Sequence, residues 1–101
     1  MKYRVLVSNI RSCRPCREEW RKFKKAYPKA RTVTLRQILS SNGVYGLWWV
    51  LVMRTGCREA RVHAYHNKFL RRGWRTLEEA FAWVEKFERD WNKLYVQQTD
   101  L

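Results

Sequence analysis

Apolar residues near the amino terminus alternate in the manner of a β-strand. In residues 3–10, Val5 and Val7 share one face of such a strand and Leu6 lies on the other. Because both faces carry apolar side chains, both have to be covered, as they are in the centre of a sheet. The pattern therefore predicts a well-covered first strand.

The apolar spacing then changes to that of an amphipathic helix. Four apolar residues recur at intervals of three or four positions: Cys16, Trp20, Phe23 and Tyr27. This spacing predicts a helix over residues 15–27 with one narrow apolar stripe. Pro15 suits the first turn of such a helix, and Pro28 ends it.

Residues 30–43 carry signals for two kinds of element. The run Thr-Val-Thr-Leu in this segment fits a short strand. Thr34 and Gln37, however, have the spacing of a helix capping box, and the later Asn-Gly pair is a helix stop. Of the two interpretations we favour a short helix over residues 35–41.

The strongest strand pattern of the chain is the apolar run in residues 44–54, which is rich in Val and aromatic residues. Thr55 and Gly56 then predict a tight turn. Residues 58–66 alternate between small apolar residues and Arg, His or Tyr, which predicts the second strand of an antiparallel hairpin. A short third strand is expected in residues 68–74.

The last part of the chain predicts a long amphipathic helix over residues 76–95. Thr76 and Glu79 have the spacing of a capping box at its start. Seven apolar residues share one face: Leu77, Ala80, Phe81, Val84, Phe87, Trp91 and Leu94. Burial of each large side chain is worth roughly 1.5–3 kcal/mol, so we expect this helix to anchor the fold.

The order of these elements predicts an α+β fold. It runs strand, helix, short helix or strand, two or three antiparallel strands, and helix. Helices packed on one face of an antiparallel sheet of three to four strands are the natural arrangement for this order. With 101 residues the chain has the length of one domain, so we expect a single basic α+β domain over residues 1–101.

Charge is distributed very unevenly along this pattern. The chain carries 22 Lys or Arg and 9 Asp or Glu, a net charge of +13. Residues 1–75 hold nineteen basic and three acidic residues (net +16), whereas residues 76–101 hold three basic and six acidic residues (net −3). A mixed surface is enough for solvation, so this excess predicts a polyanionic partner for the first three quarters of the chain.

Composition also excludes several classes of protein. Aromatic residues make up 15% of the chain and there are only 4 Gly and 2 Pro, which is unlike a disordered basic tail. No run of about 18 apolar residues is present, so no transmembrane helix and no membrane partner are expected. The amino terminus lacks the pattern of a signal peptide, and we expect a cytoplasmic location, in a cell or an infected host.

Two groups of basic residues are the candidate phosphate contacts. The first follows the polar side of the helix predicted over residues 15–27 and comprises Arg14, Arg17, Arg21, Lys24 and Lys25. The second belongs to the predicted hairpin and the segment after it and comprises Arg54, Arg58, Arg61, Lys68, Arg71 and Arg72. Arginine suits this role because its planar fork matches the oxygens of a phosphate.

Aromatic residues beside these arginines are the candidate base contacts. Arg61, His63 and Tyr65 share the exposed face of the second predicted hairpin strand. Either Trp48 or Trp49 also has to face away from the core, since neighbours in a strand alternate. An open sheet that mixes aromatic and Arg side chains binds single strands by stacking. The alternative is an aromatic core with a charged rim.

The cysteines and histidines allow two further hypotheses. Cys13 and Cys16 follow a predicted strand and open a predicted helix, a context similar to that of thioredoxin-like proteins, and this resemblance implies redox activity. The same pair, with Cys57 and either His63 or His66, makes a possible Cys₃His set for zinc. We prefer the interpretation that all three are reduced thiols and that the protein holds no cofactor.

The uneven charge predicts a small protein that binds DNA or RNA without catalysing a reaction. The other partner class that fits the charge is an acidic protein surface. A phage- or plasmid-encoded inhibitor of the anti-CRISPR kind would use such a basic surface to bind a nucleic-acid-handling complex. The oligomeric state stays open between monomer and homodimer, because part of the apolar face of the last helix suits a dimer interface.

Two resemblances refine these alternatives. His63 and His66 are the two histidines of the chain, and one of them, with His63 as the candidate, could act as a general base for RNA cleavage. The chain resembles the RelE-like messenger-RNA endonuclease toxins in size, charge and order of elements, which implies RNA cleavage but assigns no catalytic residue. Residues 43–92 resemble the DNA-binding modules of the AP2 and integrase amino-terminal type. They share the opening Gly-Val-Tyr of this segment and the helix start Thr-Leu-Glu-Glu-Ala, and this resemblance implies a sheet that enters the major groove.

Overall fold

The computed structural model of the chain describes residues 2–72 and 75–99, of which residues 95–99 are described as backbone only. Within these residues, two short strands and five helices follow one another in this order: β1 (Val5–Leu6), α1 (Val7–Ser12), α2 (Arg17–Ala26), β2 (Thr32–Val33), α3 (Leu35–Val52), α4 (Arg58–His66) and α5 (Leu77–Thr99).

The expected α+β fold, with helices on one face of a sheet of three to four strands, is wrong. In the described part of the chain, β1 and β2 form a two-stranded antiparallel sheet in which Val5 lies opposite Val33. The first strand is much shorter than residues 3–10, because the chain turns into α1 directly after Leu6. Helices make up most of the remaining structure and pack around α3, which contacts α2, α4 and α5.

Residues 44–52 of the apolar run form the second half of α3, not a strand, and residues 53–54 lie in the turn that follows. An unbroken apolar run has the same pattern in a buried strand and in a buried helix, so its period could not separate the two. In α3 the run buries Leu47, Val50 and Leu51 to between 0% and 3% exposure among the neighbouring helices. A helix that is apolar nearly all round takes the central position in a helical core.

The capping box that the sequence predicts is present at the start of α3. Thr34 Oγ1 accepts a hydrogen bond from the backbone N–H of Gln37 (3.1 Å), and Gln37 Oε1 accepts one from the N–H of Thr34 (2.9 Å). The predicted helix stop is a kink at Gly43, whose φ of 72° a glycine adopts without steric cost. The chain resumes its helix after the kink, so the short helix we expected is only the first half of α3.

Residues 58–66 form α4, so the predicted hairpin is wrong as well. Ala60 and Ala64 lie one helical turn apart and are both fully buried, whereas Val62, which strand alternation grouped with them, is 44% exposed. The tight turn predicted at Gly56 is present, with φ of 88°, but it joins two helices. The described residues of the expected third strand, 68–72, form turns, and residues 73–74 lie outside the described residues.

The two predicted amphipathic helices are confirmed as α2 and α5. In α2, Phe23 is buried, and Trp20 and Tyr27 pack half-buried against the core. α5 begins after Thr76, whose Oγ1 accepts a hydrogen bond from the N–H of Glu79 (3.2 Å). These helices were predictable because their apolar stripes and caps lie within the segments themselves.

The apolar face of α5 differs from the predicted one at its edges. Val84 and Phe87 are buried as expected, and Trp83, which the sequence places only at the edge of that face, is also buried at 4% exposure. Leu77 and Leu94, at the two ends of the predicted face, are 51% and 56% exposed. The buried face is therefore rotated toward α4, whose helical form the sequence did not predict.

Candidate nucleic-acid interface

The basic side of α2 is exposed as predicted. Arg17, Arg21 and Lys25 succeed one another at a spacing of four residues and therefore lie along one line of the helix surface. All three are exposed, and they lie on the side opposite the buried Phe23. We call these three residues the α2 stripe.

The other two basic residues predicted for this helix lie beside the α2 stripe. Lys24 is half-buried, and its Nζ donates to the carbonyl oxygen of Pro28 (3.1 Å) and lies 5.8 Å from the ring centroid of Trp20. Arg14 is exposed in the loop before α2, where its backbone has a positive φ of 54°. The helical spacing thus placed the α2 stripe correctly, while Lys24 also has a local structural role.

Basic residues that were predicted to lie in a hairpin form a second line, on α4. Arg58, Arg61 and Tyr65 recur at three- and four-residue spacing, so they share one side of the helix, and we call them the α4 stripe. Tyr65 is 56% exposed, and the guanidinium carbon of Arg71 lies 5.6 Å from its ring centroid. The expectation that Arg61 and Tyr65 lie together is retained, although on a helix instead of a strand. Lys68 and Arg72 are exposed in the turns that follow.

A hydrogen bond joins the two loops that carry Arg14 and Arg54. Cys13 Sγ donates to the carbonyl oxygen of Met53 at 3.4 Å, which joins the α1–α2 loop to the α3–α4 turn. The next residues along the chain are Arg14 and Arg54, which are both exposed and both have positive φ values (54° and 57°). Arg14 leads into α2 and Arg54 leads toward α4, so the segments before these two helices lie next to each other.

The candidate phosphate contacts keep their charge unpaired among the described residues. The Lys and Arg side chains within 4 Å of a described carboxylate are Lys22, which pairs with Glu19, and Arg36, which pairs with Glu88. Neither belongs to the predicted interface. The positive charge of the α2 and α4 stripes is therefore available to an external anion.

His63, the candidate general base, lies between α4 and α5 with both ring nitrogens engaged. Its Nε2 lies 2.8 Å from Asp90 Oδ2, and its Nδ1 lies 3.2 Å from Asn67 Nδ2. A carboxylate accepts and an amide nitrogen donates, so the geometry fits a ring that donates from Nε2 and accepts at Nδ1. Neither nitrogen is left to take a proton from an RNA hydroxyl, and the site does not favour the endonuclease alternative.

The surroundings of His63 form a polar network that joins α4 to α5. Lys86 Nζ donates to Asn67 Oδ1 (3.0 Å), and Arg75 donates to the backbone oxygen of Asn67 (3.0 Å). The hydrogen bond from His63 is the main cause that lowers the pKa of the Asp90 carboxyl below its ordinary value of 3.8. Sequence reasoning missed Asp90 and Asn67 because their roles depend on two helices meeting, and one of these was read as a strand.

The cysteines do not assemble the proposed zinc set. Cys57 is buried, Cys16 is exposed at the start of α2, and Cys13 is engaged with the backbone of Met53. Among residues 2–72 and 75–99, no three His, Cys, Asp or Glu side chains gather in a way that could hold a metal ion, and this includes His63 and His66. Burial raises the pKa of the Cys57 thiol above its ordinary value of 9.0.

The proposed resemblances lose their structural support. The DNA-binding modules that residues 43–92 resemble place a sheet in the groove, but this segment contains parts of α3, α4 and α5. The order of elements shared with the RelE-like toxins depended on the strands predicted in residues 44–74, and the described residues of this segment form helices and turns. Cys13 follows the helix α1 and not a strand, which removes the context that resembled thioredoxin-like proteins. Trp48 and Trp49 are both half-buried on α3, so neither is the exposed strand residue we expected.

Comparison of the chain with known proteins gave no match among protein-family models, curated proteins or solved structures. Among the helices of the described residues, none combines the length and the apolar content that crossing a bilayer requires. The functional argument therefore depends on the charges and contacts of the chain itself.

Proposed function

We propose that the chain binds nucleic acid, with the α2 stripe and the arginines of the α4 stripe contacting phosphates. The observation that supports this most directly is that these basic side chains, which are exposed except for the half-buried Arg61, have no described carboxylate within 4 Å. An uncompensated line of Arg and Lys on a helix surface attracts the phosphates of a nucleic acid and releases their condensed counterions.

The acidic end of the chain agrees with this assignment. Residues 76–101 carry a net charge of −3, and α5 packs against α3 and α4. A polyanion is repelled by that helix and attracted by the rest of the chain, so the charge asymmetry favours one orientation of a bound strand. Arg14 and Arg54, where the α1–α2 loop meets the α3–α4 turn, extend the interface between the two stripes.

The proposal is tested by measuring affinity against salt concentration. Fluorescence anisotropy with labelled DNA and RNA oligonucleotides reports the dissociation constant between about 50 and about 200 mM salt. If six to ten phosphates are contacted, affinity falls by roughly 10³- to 10⁵-fold over this range. Absence of binding at low salt, or an affinity that ignores salt, would overturn the proposal and leave an acidic protein surface as the partner class.

Two matched double variants locate the interface. Arg17→Gln with Arg21→Gln removes two exposed charges, spaced four residues apart, from the α2 stripe. Arg89→Gln with Lys93→Gln removes two exposed charges at the same spacing from α5. We expect the first pair to lower the salt slope by about 2, since each lost phosphate contact contributes roughly 0.9, and the second to leave it unchanged. Equal effects of the two pairs would mean that only net charge matters.

A further inference from the structure

An exposed aromatic ring lies on α4, outside the packed core. Tyr65 is 56% exposed, whereas Ala60 and Ala64 on the inner side of the same helix are fully buried. A tyrosine ring carries a large apolar area, and here more than half of the residue faces solvent. Tyr65 therefore contributes little to the packing of α4, and an external molecule can reach its ring.

The turns after α4 place cations beside this ring. The backbone N–H of Lys68 donates to the carbonyl oxygen of Tyr65, and that of Arg72 donates to the carbonyl oxygen of Lys68, both at 3.1 Å. Within these turns the guanidinium carbon of Arg71 lies 5.6 Å from the ring centroid of Tyr65. Lys68, Arg71 and Arg72 are all exposed. The ring and the planar guanidinium of Arg71 therefore form one surface that faces solvent.

The arginines of the α4 stripe continue this basic surface along the helix. Arg61 precedes Tyr65 by four residues and Arg58 precedes it by seven, so both share its side of α4. None of the described carboxylates lies within 4 Å of the cations around Tyr65, which are Arg58, Arg61, Lys68, Arg71 and Arg72. The ring thus lies within a group of cations whose charge is available to an external anion.

Cations together with an exposed ring favour one class of polyanion over the others. An acidic protein surface neutralises the arginines and leaves the ring unused. A single-stranded nucleic acid uses both, because its phosphates pair with the cations while its unstacked bases lie on aromatic rings. In a duplex the faces of each base are covered by its neighbours, so a ring on a helix surface cannot stack on them.

We infer that Tyr65 stacks on one unpaired base of a single-stranded nucleic acid whose phosphates contact the surrounding cations. The inference rests on the proposed function and adds the class of nucleic acid. Every base has an aromatic face, so this contact selects single strands and not a base sequence. The planar guanidinium of Arg71 fits the same contact, because such a group stacks on bases and also binds phosphate.

The first test compares two oligomers that differ only in their bases. The probes are labelled oligodeoxythymidine and an abasic sugar-phosphate oligomer of the same length, and fluorescence anisotropy at low salt gives their dissociation constants. Loss of one base–aromatic stack weakens binding by about fivefold or more, so we expect oligodeoxythymidine to bind at least about fivefold more tightly than the abasic oligomer.

Variants of Tyr65 assign this preference to the ring. In Tyr65→Leu we expect the preference for oligodeoxythymidine to disappear, while the affinity for the abasic oligomer stays within about twofold of wild type. Tyr65→Phe keeps the ring and should keep the preference. The matched control is Tyr45→Leu, which removes a ring that is 42% exposed on α3 and should also keep it. Circular dichroism first establishes that all variants have the helix content and thermal unfolding of wild type.

A duplex separates stacking from attraction between charges. The probe is an oligodeoxythymidine–oligodeoxyadenosine duplex, whose phosphates reach the cations but whose base faces are covered. We expect Tyr65→Leu to change its affinity by less than about twofold, because the ring makes no stack with a paired base.

Each outcome bears on one of the two claims. Absence of binding to all three probes overturns the proposed function itself. Equal affinity of the wild type for oligodeoxythymidine and the abasic oligomer overturns the inference on Tyr65 and leaves phosphate binding intact. A preference that survives in Tyr65→Leu, or that is lost equally in Tyr65→Phe or Tyr45→Leu, overturns it too. The same holds if Tyr65→Leu weakens duplex binding as much as binding of the single strand.

Discussion

The surface of α2 and the contact between α4 and α5 both carry ionisable side chains, but these side chains have different surroundings. On α2, Arg17 and Arg21 are exposed and have no described acidic partner. Between α4 and α5, His63 forms a hydrogen bond with Asp90, and Lys86 donates a hydrogen bond to Asn67. Side chains that are satisfied within the fold stabilise it, whereas unpaired exposed charges contribute little to stability and are free to bind.

The two sides also differ in how deeply their stacked rings are buried. On α5, Trp83 stacks on Phe69 and on Phe87, with centroids 5.1 and 5.8 Å apart, and all three rings are buried. On α2, Trp20 stacks on Phe23 with centroids 5.7 Å apart, and Trp20 is only half-buried beside a small cleft between α2 and α3. The rings on α5 therefore contribute more buried apolar area to stability than those on α2.

The largest expected effect is loss of stability when the aromatic packing on α5 is removed. Trp83→Ala deletes a side chain that is only 4% exposed, and such a change costs about 3–5 kcal/mol. Urea unfolding followed by circular dichroism measures the loss. In Trp83→Phe a six-membered aromatic ring stays, and the five-membered ring is lost together with its N–H, which has no described partner, so we expect a smaller cost than in Trp83→Ala. A similar loss in both variants would contradict this account of the packing.

An intermediate effect is expected at Tyr3, whose hydroxyl donates to Glu59 Oε2 at 3.0 Å. Burial, and then this hydrogen bond, raise the pKa of Tyr3 well above its ordinary value of 10.0. The folded protein therefore keeps a proton that the unfolded chain releases, so its contribution to stability is complete below pH 10.0 and declines as the pH rises above that value.

The Tyr3→Phe variant isolates this contribution. It removes one hydrogen bond, so we expect a loss of about 1 kcal/mol near neutral pH. Above about pH 10 the difference between wild type and variant shrinks, because the wild-type chain alone loses the Tyr3 contribution. Urea unfolding at about pH 7, 9 and 11 measures it. A difference that stays constant up to pH 11 would refute the assignment.

The smallest effect is expected at Asp90, whose side chain is 42% exposed. Because the pKa of Asp90 is lower in the folded protein than its ordinary value of 3.8, the carboxylate contributes to stability at a pH above that value. This contribution to stability disappears as the pH falls through the pKa of the folded protein. Solvent screens this pair, so we expect Asp90→Asn to cost less than about 1 kcal/mol near pH 6. The difference from wild type should vanish at about pH 2, as acid unfolding curves can establish.

The matched control for Asp90→Asn is the double variant of the α2 stripe. Arg17→Gln with Arg21→Gln removes charges that have no described acidic partner, so we expect its free energy of unfolding to stay within about 0.5 kcal/mol of wild type. The same protein should bind oligonucleotides more weakly. Loss of stability in this variant without loss of binding would reverse the comparison between the two sides.

The parts of the molecule that could be predicted from the sequence depend on interactions between residues that are close together in the chain. Thr34 and Thr76 cap helices through residues three positions further on, and both caps form where the sequence indicated. The α2 stripe was placed correctly because an amphipathic segment shows its polar side in its own spacing. The spacing of Ala60 and Ala64, four residues apart, was a helical signal that strand alternation concealed.

The rest of the candidate site depended on an element type that the sequence left undecided. Strand alternation grouped His63 with Arg61 and Tyr65 on one face. On the helix α4, His63 turns toward Asp90 on α5, while Arg61 and Tyr65 stay together on another side. A helix rotates by a different angle per residue from a strand, so residues that a strand would place on one face lie on different sides of α4. His63 therefore pairs with Asp90, while Arg61 and Tyr65 form part of a basic surface.

The sequence by itself determined the division of charge, the caps of α3 and α5, and the amphipathic helix α2. These properties depend on residues within a few positions of one another. Only the tertiary structure decided that residues 44–52 are helical, because an apolar run is equally suited to a buried strand or a buried helix and its neighbours select between them. It also created the cleft beside Trp20, since a cavity belongs to the two helices that enclose it and not to either alone.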